Sequence, residues 1–134
     1  MKLAFFSFLI VMISMTLMDG LWLGIMIKRF YLPNVGHLFR DSMAIWPAII
    51  FYILYGIALS VFVVLPALKN STGYFEVLLL GILFGMVCYG TYDLTNQATL
   101  KNWPWVVTIV DIAWGGCLTG AVSLISTFTM RYFW

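Results

Sequence analysis

Four stretches of this sequence stay apolar for the length of a bilayer crossing. They run from about 3 to 27, 44 to 65, 75 to 94 and 104 to 128. A helix needs roughly 20 mostly apolar residues to cross the hydrocarbon core. Each crossing segment must satisfy its own backbone hydrogen bonds there, so a helix is the form expected. The alternating strands of a membrane barrel are absent. Composition agrees: 63% of the 134 residues are hydrophobic and 9% charged, with a mean hydropathy of +1.03. A soluble domain carries about 25% charged residues. The predicted fold class is therefore all-α: a single-domain, integral membrane four-helix bundle over residues 1–134, with a short interfacial segment between helices one and two.

The punctuation fits that layout. Pro47 and Pro104 suit first helical turns, and Pro66 marks the expected end of helix two. Lys2 before an apolar run resembles a signal peptide. No A-x-A-like cleavage site follows, however, so a retained first helix is expected. The segment "KRFYLPNVGHLFRDSM" mixes basic residues with Phe30, Tyr31, Leu38 and Phe39, as a segment in the headgroup layer would. Asp41 or Ser42 is expected to cap helix two. Arg131, Tyr132 and Trp134 suit an aromatic belt. Lys2, Lys69 and Arg131 fall on one side of the membrane; Lys28, Arg29, Arg40 and Lys101 fall on the other. That small excess favours both termini outside the cytoplasm and leaves dual insertion open. The expected location is the bacterial cytoplasmic (inner) membrane.

Several chemistries are excluded or unsupported. The net charge of +2, with no basic cluster and no phosphate-cradling loop, argues against nucleic acid. Cys88 and Cys117 give neither a CxxC motif nor metal spacing. His37 is the only histidine and lies in the first connection. No cofactor is implied. A hard, oxygen-rich metal site built from carboxylates is a minority reading, and no metal ligand is assigned.

The carboxylates are the informative residues. Asp19 lies inside helix one and Asp111 inside helix four, both roughly 10–12 Å from the same membrane side at about 1.5 Å per residue. Asp93 enters from that side too, whereas Asp41 and Glu76 fall in or near connections. An ionisable group at membrane depth costs roughly 2.5–3.5 kcal/mol and usually faces the bundle interior. The pattern D-x-x-W-x-G occurs twice, as Asp19, Trp22, Gly24 and as Asp111, Trp114, Gly116. Its i,i+3 spacing puts aspartate and tryptophan on one helix face. Gly81, Gly85, Tyr89 and Asp93 share a stripe on helix three, and Asp111, Gly115, Thr119 and Ser123 share one on helix four. Tyr52, Gly56 and Ser60 do so on helix two, with Tyr55 beside them. The plainer alternative is structural: carboxyls bonded to tyrosine, tryptophan and backbone, and glycines used only for close helix packing.

The stretch "YGTYDLTNQATLKNWPW", Tyr89 to Trp105, is expected to form a folded polar wall over these carboxyls. Asp93 would finish helix three, and Thr95 and Asn96 would satisfy its last carbonyls or cap the next turn. Lys101 would reach back toward the carboxylates. Trp103 would sit at the headgroup boundary and Pro104 would start helix four. The candidate ligand-binding or proton-carrying residues are thus Asp19, Trp22, Tyr52, Tyr89, Tyr92, Asp93, Asn96, Lys101, Asp111 and Trp114.

This stretch, with "MDGLWLG", "PAIIFYILYGIAL" and "VDIAWGG", resembles the small bacterial membrane family known as domain of unknown function 2177. The resemblance spans nearly the whole chain. It implies a four-helix membrane protein and assigns no catalytic residue. Its motif positions here are Asp19, Trp22, Tyr52, Tyr92, Asp93, Thr95, Asn96, Thr99, Lys101, Trp103, Pro104, Asp111 and Trp114.

The functional reading is an intramembrane aspartate, tryptophan and tyrosine pocket, open to one side, that binds or transports a small solute or cation with proton coupling. An intramembrane enzyme using paired aspartates as acid and base is the alternative. A structural accessory protein is a third. The lipid bilayer is the expected partner, with an unidentified small ligand. A homo-oligomer through Gly81/Gly85 or Gly116/Gly120 is the further partner considered, since four helices rarely enclose a pathway alone. The layout makes a direct prediction: single cysteines at positions 36 and 97 should label from one side of the membrane and a cysteine at 71 from the other. Opposite labelling of 36 and 97 would remove the four-crossing layout.

Overall fold

The computed structural model describes residues 1–133. Trp134, expected in the aromatic belt, lies outside the described residues. Four long helices account for most of the chain: α1 (Lys2–Leu38), α2 (Ile45–Lys69), α3 (Tyr74–Thr99) and α4 (Trp105–Phe133). Each is long and apolar enough to cross a membrane, and no strand occurs among the described residues. The all-α membrane bundle read from the sequence is the architecture found.

All four helices outrun their expected ends; α4 runs on to Phe133, and each of the other three carries a local device where it does so. α1 is a regular α-helix over Lys2–Met26, passes through a π-helical turn at Ile27–Tyr31, and continues as Leu32–Val35 and a 3-10 turn at Gly36–Leu38. The expected interfacial segment is therefore largely a continuation of helix one. α2 repeats the device, with a π-helical turn at Ser60–Val64 leading into Leu65–Lys69. Each π turn delivers a proline, Pro33 or Pro66, to the first turn of the helical piece that follows. A proline there lacks only an N–H that would be orphaned anyway. Pro66 thus does not end helix two.

α3 continues to Thr99 instead of stopping near residue 94. Its threonines form a ladder: Thr91, Thr95 and Thr99 donate to the carbonyls of Val87, Thr91 and Thr95 at 2.7, 2.6 and 2.7 Å. The threonine hydroxyls are thus satisfied within the helix itself, on carbonyls one turn earlier. Asp93 accordingly sits within α3 and does not finish it. Neither Asp41 nor Ser42 caps α2, whose N-cap position is Ala44 with no side-chain cap.

The connections are short. Ser71 and Asn102 hold positive φ angles of 53° and 61° in the second and third. Arg131, near the end of α4, donates through Nη2 to the carbonyls of Ala67 (3.0 Å) and Thr72 (2.7 Å). Its guanidinium also lies 4.9 Å from the Tyr74 ring centre. It fastens the α2–α3 connection to the end of α4.

α3 and α4 form the most extensive contact, and α1 packs on both α4 and α2. Glycines bring α3 and α4 together. A Cβ on Gly85 would lie 2.0 Å from the Gly115 carbonyl oxygen, and one on Gly81 would lie 2.9 Å from the Gly120 Cα. Gly116 and Gly120 approach Met86, Ile82 and Leu78 of α3 in the same way. Both glycine pairs considered for contacts between copies are therefore consumed inside the chain. They do not form a free face for a homo-oligomer.

Between the helices, Val11, Met15, Leu59, Val64, Leu118 and Val122 form an apolar core. Ser60, Thr119, Ser123, Ser126 and Thr127 are buried with it, while Leu17, Leu21, Leu54, Phe62, Leu83 and Ile109 are exposed. Small polar groups inside and large apolar ones outside suit a lipid surround, where packing and hydrogen bonds hold helices together.

The α3–α4 seam can be tested by one methyl group. Gly85→Ala should lower the melting temperature sharply, by the equivalent of at least about 1–3 kcal/mol, because backbone must move to admit it. Gly20→Ala, with nothing within 4 Å of the new Cβ, should be neutral or stabilising by up to about 1 kcal/mol. Equal effects in a thermal melt would contradict the close seam.

Candidate functional site

Asp19, near the middle of α1, accepts hydrogen bonds from two other helices. The Tyr52 hydroxyl of α2 donates to one carboxylate oxygen, and Trp114 Nε1 of α4 donates to the other at 3.0 Å. Asp111 of α4 accepts from the Tyr31 hydroxyl, which itself accepts from Trp22 Nε1 at 3.2 Å. The two tryptophan rings stack, with centroids 4.1 Å apart and planes within 6°. The repeated D-x-x-W pattern thus acts reciprocally. Each tryptophan serves the aspartate of the other helix, Trp114 directly and Trp22 through Tyr31. Asp19 and Asp111 are both buried and lie within electrostatic reach of one another. Neither shares a hydrogen bond with another carboxyl.

Tyr31 was not a candidate on sequence grounds. In a straight α-helix, nine residues would set it about 180° from Trp22. The π turn at Ile27–Tyr31 shifts that phase by about 100°, and the two side chains meet. Its position is fixed from outside by Trp103, which is buried with Val35 and Val107 against Phe30 and Tyr31. Trp103 Nε1 donates to Thr108 Oγ1, Thr108 Oγ1 donates to Gln97 Oε1, and Gln97 Nε2 donates to the Trp103 carbonyl, all at 3.1 Å. This closed ring joins the end of α3 to the start of α4. Trp103 is a buried strut behind Tyr31. Gln97, the second residue the sequence did not single out, completes the ring.

The remaining candidates divide. Tyr89 lies over Gly115, where its ring atoms would be 2.3 Å from an added Cβ. It is within electrostatic reach of Asp19 and of the Tyr31, Tyr52 and Tyr55 hydroxyls. Asp93 is 0% exposed and within electrostatic reach of Asp111. Both of its carboxylate oxygens, and the Asn96 Nδ2 one helical turn away, are buried without a hydrogen-bond partner among the described residues. Tyr92 is exposed, its ring edge-on to Trp103 at 6.0 Å. Lys101 is exposed as well, and among the described residues it makes no ion pair with a carboxylate. The tract from Tyr89 to Trp105 does carry the wall of the site, but through Asp93, Gln97 and Trp103; the lysine is not brought to the carboxyls.

No three carboxylate, histidine or cysteine side chains converge to hold a metal ion among the described residues. An apolar groove of ≈ 300 Å³ opens on the outer surface between Met18, Leu21, Trp22, Ile25, Met26 and Trp114. The tryptophans that line it turn their N–H groups toward Tyr31 and Asp19.

Removing the Tyr52 hydroxyl leaves an acceptor of Asp19 unserved, so Tyr52→Phe should cost about 1–3 kcal/mol in a melting experiment. In a double-mutant cycle with Asp19→Asn, the two substitutions should couple by about 0.5–3 kcal/mol. Lys101→Ala should instead be additive with Asp93→Asn. Strong coupling in that second cycle would place the lysine at the carboxyls after all.

A family model described as predicted membrane protein (DUF2177) matches residues 4–128. No curated protein and no solved structure matches the chain. The chain belongs to this family of membrane proteins.

Proposed function

We propose that this member of the family binds a small cation, or a small solute carrying one, at its carboxyl cluster and moves it across the membrane against protons. The bacterial cytoplasmic membrane is the setting this reading requires. Asp93 carries the proposal. Asp19 and Asp111 are each answered by side chains of the fold, as structural carboxyls would be. Asp93 is equally buried and answered by none. An ionised carboxylate removed from water without a partner is far too costly to persist. It must therefore hold a proton or a cationic group supplied from outside the chain. Alternating between those two partners is the elementary act of proton-coupled transport. Asn96, a turn away, offers a free donor for an acceptor atom of the same ligand.

The stacked indoles and the surrounding tyrosines support a cationic ligand further, since aromatic faces attract positive charge. Paired acid and base chemistry has less support: Asp19 and Asp111 hold separate tyrosines and share no hydrogen bond.

The test is a melting-temperature screen of purified protein against sodium, potassium, magnesium, calcium and simple ammonium salts. One of these should raise the melting temperature by mass action, equivalent to about 2.7 kcal/mol at a hundredfold excess over Kd. Asp93→Asn, which mimics the protonated carboxyl, should fold normally and abolish that shift. A screen in which no cation acts, or in which the variant responds like wild type, would remove the proposal.

A further inference from the structure

The bundle has a second set of buried polar groups that the carboxyl cluster does not use. Ser7 of α1 and Ser126 and Thr127 of α4 are each 0% exposed. Their hydroxyls have no hydrogen-bond partner among the described residues. Serine and threonine in a helix ordinarily bond back to a carbonyl one turn earlier, as Thr119 and Ser123 do here. These three do not. α1 and α4 are antiparallel and meet at Asp19 and Trp114. Stepping twelve residues toward the N-terminus from Asp19, and twelve toward the C-terminus from Trp114, arrives at Ser7 and Ser126. At about 1.5 Å per residue, both lie about 18 Å from the carboxyl level, toward the opposite membrane side.

Polar groups fill the interval. Tyr89 stands within electrostatic reach of Asp19, Tyr31, Tyr52 and Tyr55. The Tyr55 hydroxyl is 2.7 Å from Thr119 Oγ1. Thr119 and Ser123 follow on the buried face of α4, both 0% exposed. Ser126 and Thr127 complete the row.

We infer that the buried face of α4 is a proton path, joining the carboxyl cluster to a water-holding site at Ser7, Ser126 and Thr127. Buried hydroxyls left unpaired are costly, and internal water is the ordinary partner of such groups when two or more of them converge. Thr119 and Ser123 donate to backbone carbonyls at rest, so each passes a proton on by rotating its hydroxyl away from the carbonyl, taking a proton from one neighbour as it gives its own to the next. No net change in any group results. Asp93 holds the proton at one end, and the serine and threonine site hands it to water at the other. This inference rests on the proton coupling proposed above and adds its route.

The experiment measures proton uptake into proteoliposomes that hold a pH-sensitive dye and the salt found to raise the melting temperature, on dilution into buffer lacking that salt, so that outward cation movement drives inward proton movement. Thr127→Val and Ser126→Ala remove hydroxyls with little change of shape. Each should slow uptake about tenfold or more, as loss of one link in a hydrogen-bonded relay should. Thr127→Ser, which keeps the hydroxyl, should restore it. The cation-induced melting shift should be unaltered in all three, because the carboxyl cluster is untouched. Uptake as fast in the valine and alanine variants as in wild type would overturn the path. Wild type that shows the cation shift but no uptake would overturn the path and leave the carboxyl site standing. Wild type with neither would overturn both.

Discussion

The reciprocal attachment of α1 to α4 is what the rest of the structure depends on. Lipid tails are as apolar as leucine, so hydrophobic burial alone does not hold helices together in a bilayer. Here the two most distant helices in sequence are held by a stacked indole pair and by carboxyls that each accept from the other helix. α2 joins through Tyr52 on Asp19. α3 joins through the glycine seam against α4. Every helix is therefore tied to the level of the carboxyls, either directly or through α4. The most polar layer of the molecule is also its most cross-linked one.

That arrangement sets how the site relates to stability. Asp19 and Asp111 fix the bundle, and Asp111 also lies within electrostatic reach of Asp93. Asp93 itself fixes nothing, since no donor among the described residues reaches it. A group that is free of structural duty can exchange its partner without loosening the fold. The Gln97, Trp103 and Thr108 ring plays the supporting part from the outside, pressing Trp103 against the segment that carries Tyr31.

Much of this was legible in the sequence. Apolar length fixes four crossings because bilayer thickness is a physical constant of the solvent. The repeated D-x-x-W pattern announced that Asp19 and Asp111 share a face with Trp22 and Trp114, and depth arithmetic set the two aspartates level. The crossed pairing was not legible, because spacing along one helix does not say which neighbour a side chain will meet. The polar run from Tyr89 to Trp105 read as the end of helix three at Asp93 followed by a folded turn into helix four. In the structure α3 runs on to Thr99 with its threonines bonded to their own backbone, and composition does not separate those two uses. Tyr31 was hidden for a different reason: its partnership depends on a π turn, and face-counting assumes an unbroken 3.6-residue period. Lys101 was drawn toward the carboxyls by charge alone, yet it stays at the surface, where water solvates it without help.

The π turns have one more consequence. Each is a one-residue slip in helical phase, worth about 100° of rotation for everything beyond it. In α1 the slip lies between Trp22 and Tyr31, and in α2 it lies between Tyr52 and Lys69. The helix thus works as a two-position dial whose setting is chosen by residue count and hardly at all by residue type. A chain shorter by one residue within 27–31 would keep its hydropathy, its charge and all four crossings. It would nonetheless turn Tyr31 away from Asp111 and carry the Phe30–Val35 packing against Trp103 with it. In this fold the length of a helix is itself information about the site, independent of the letters that fill it.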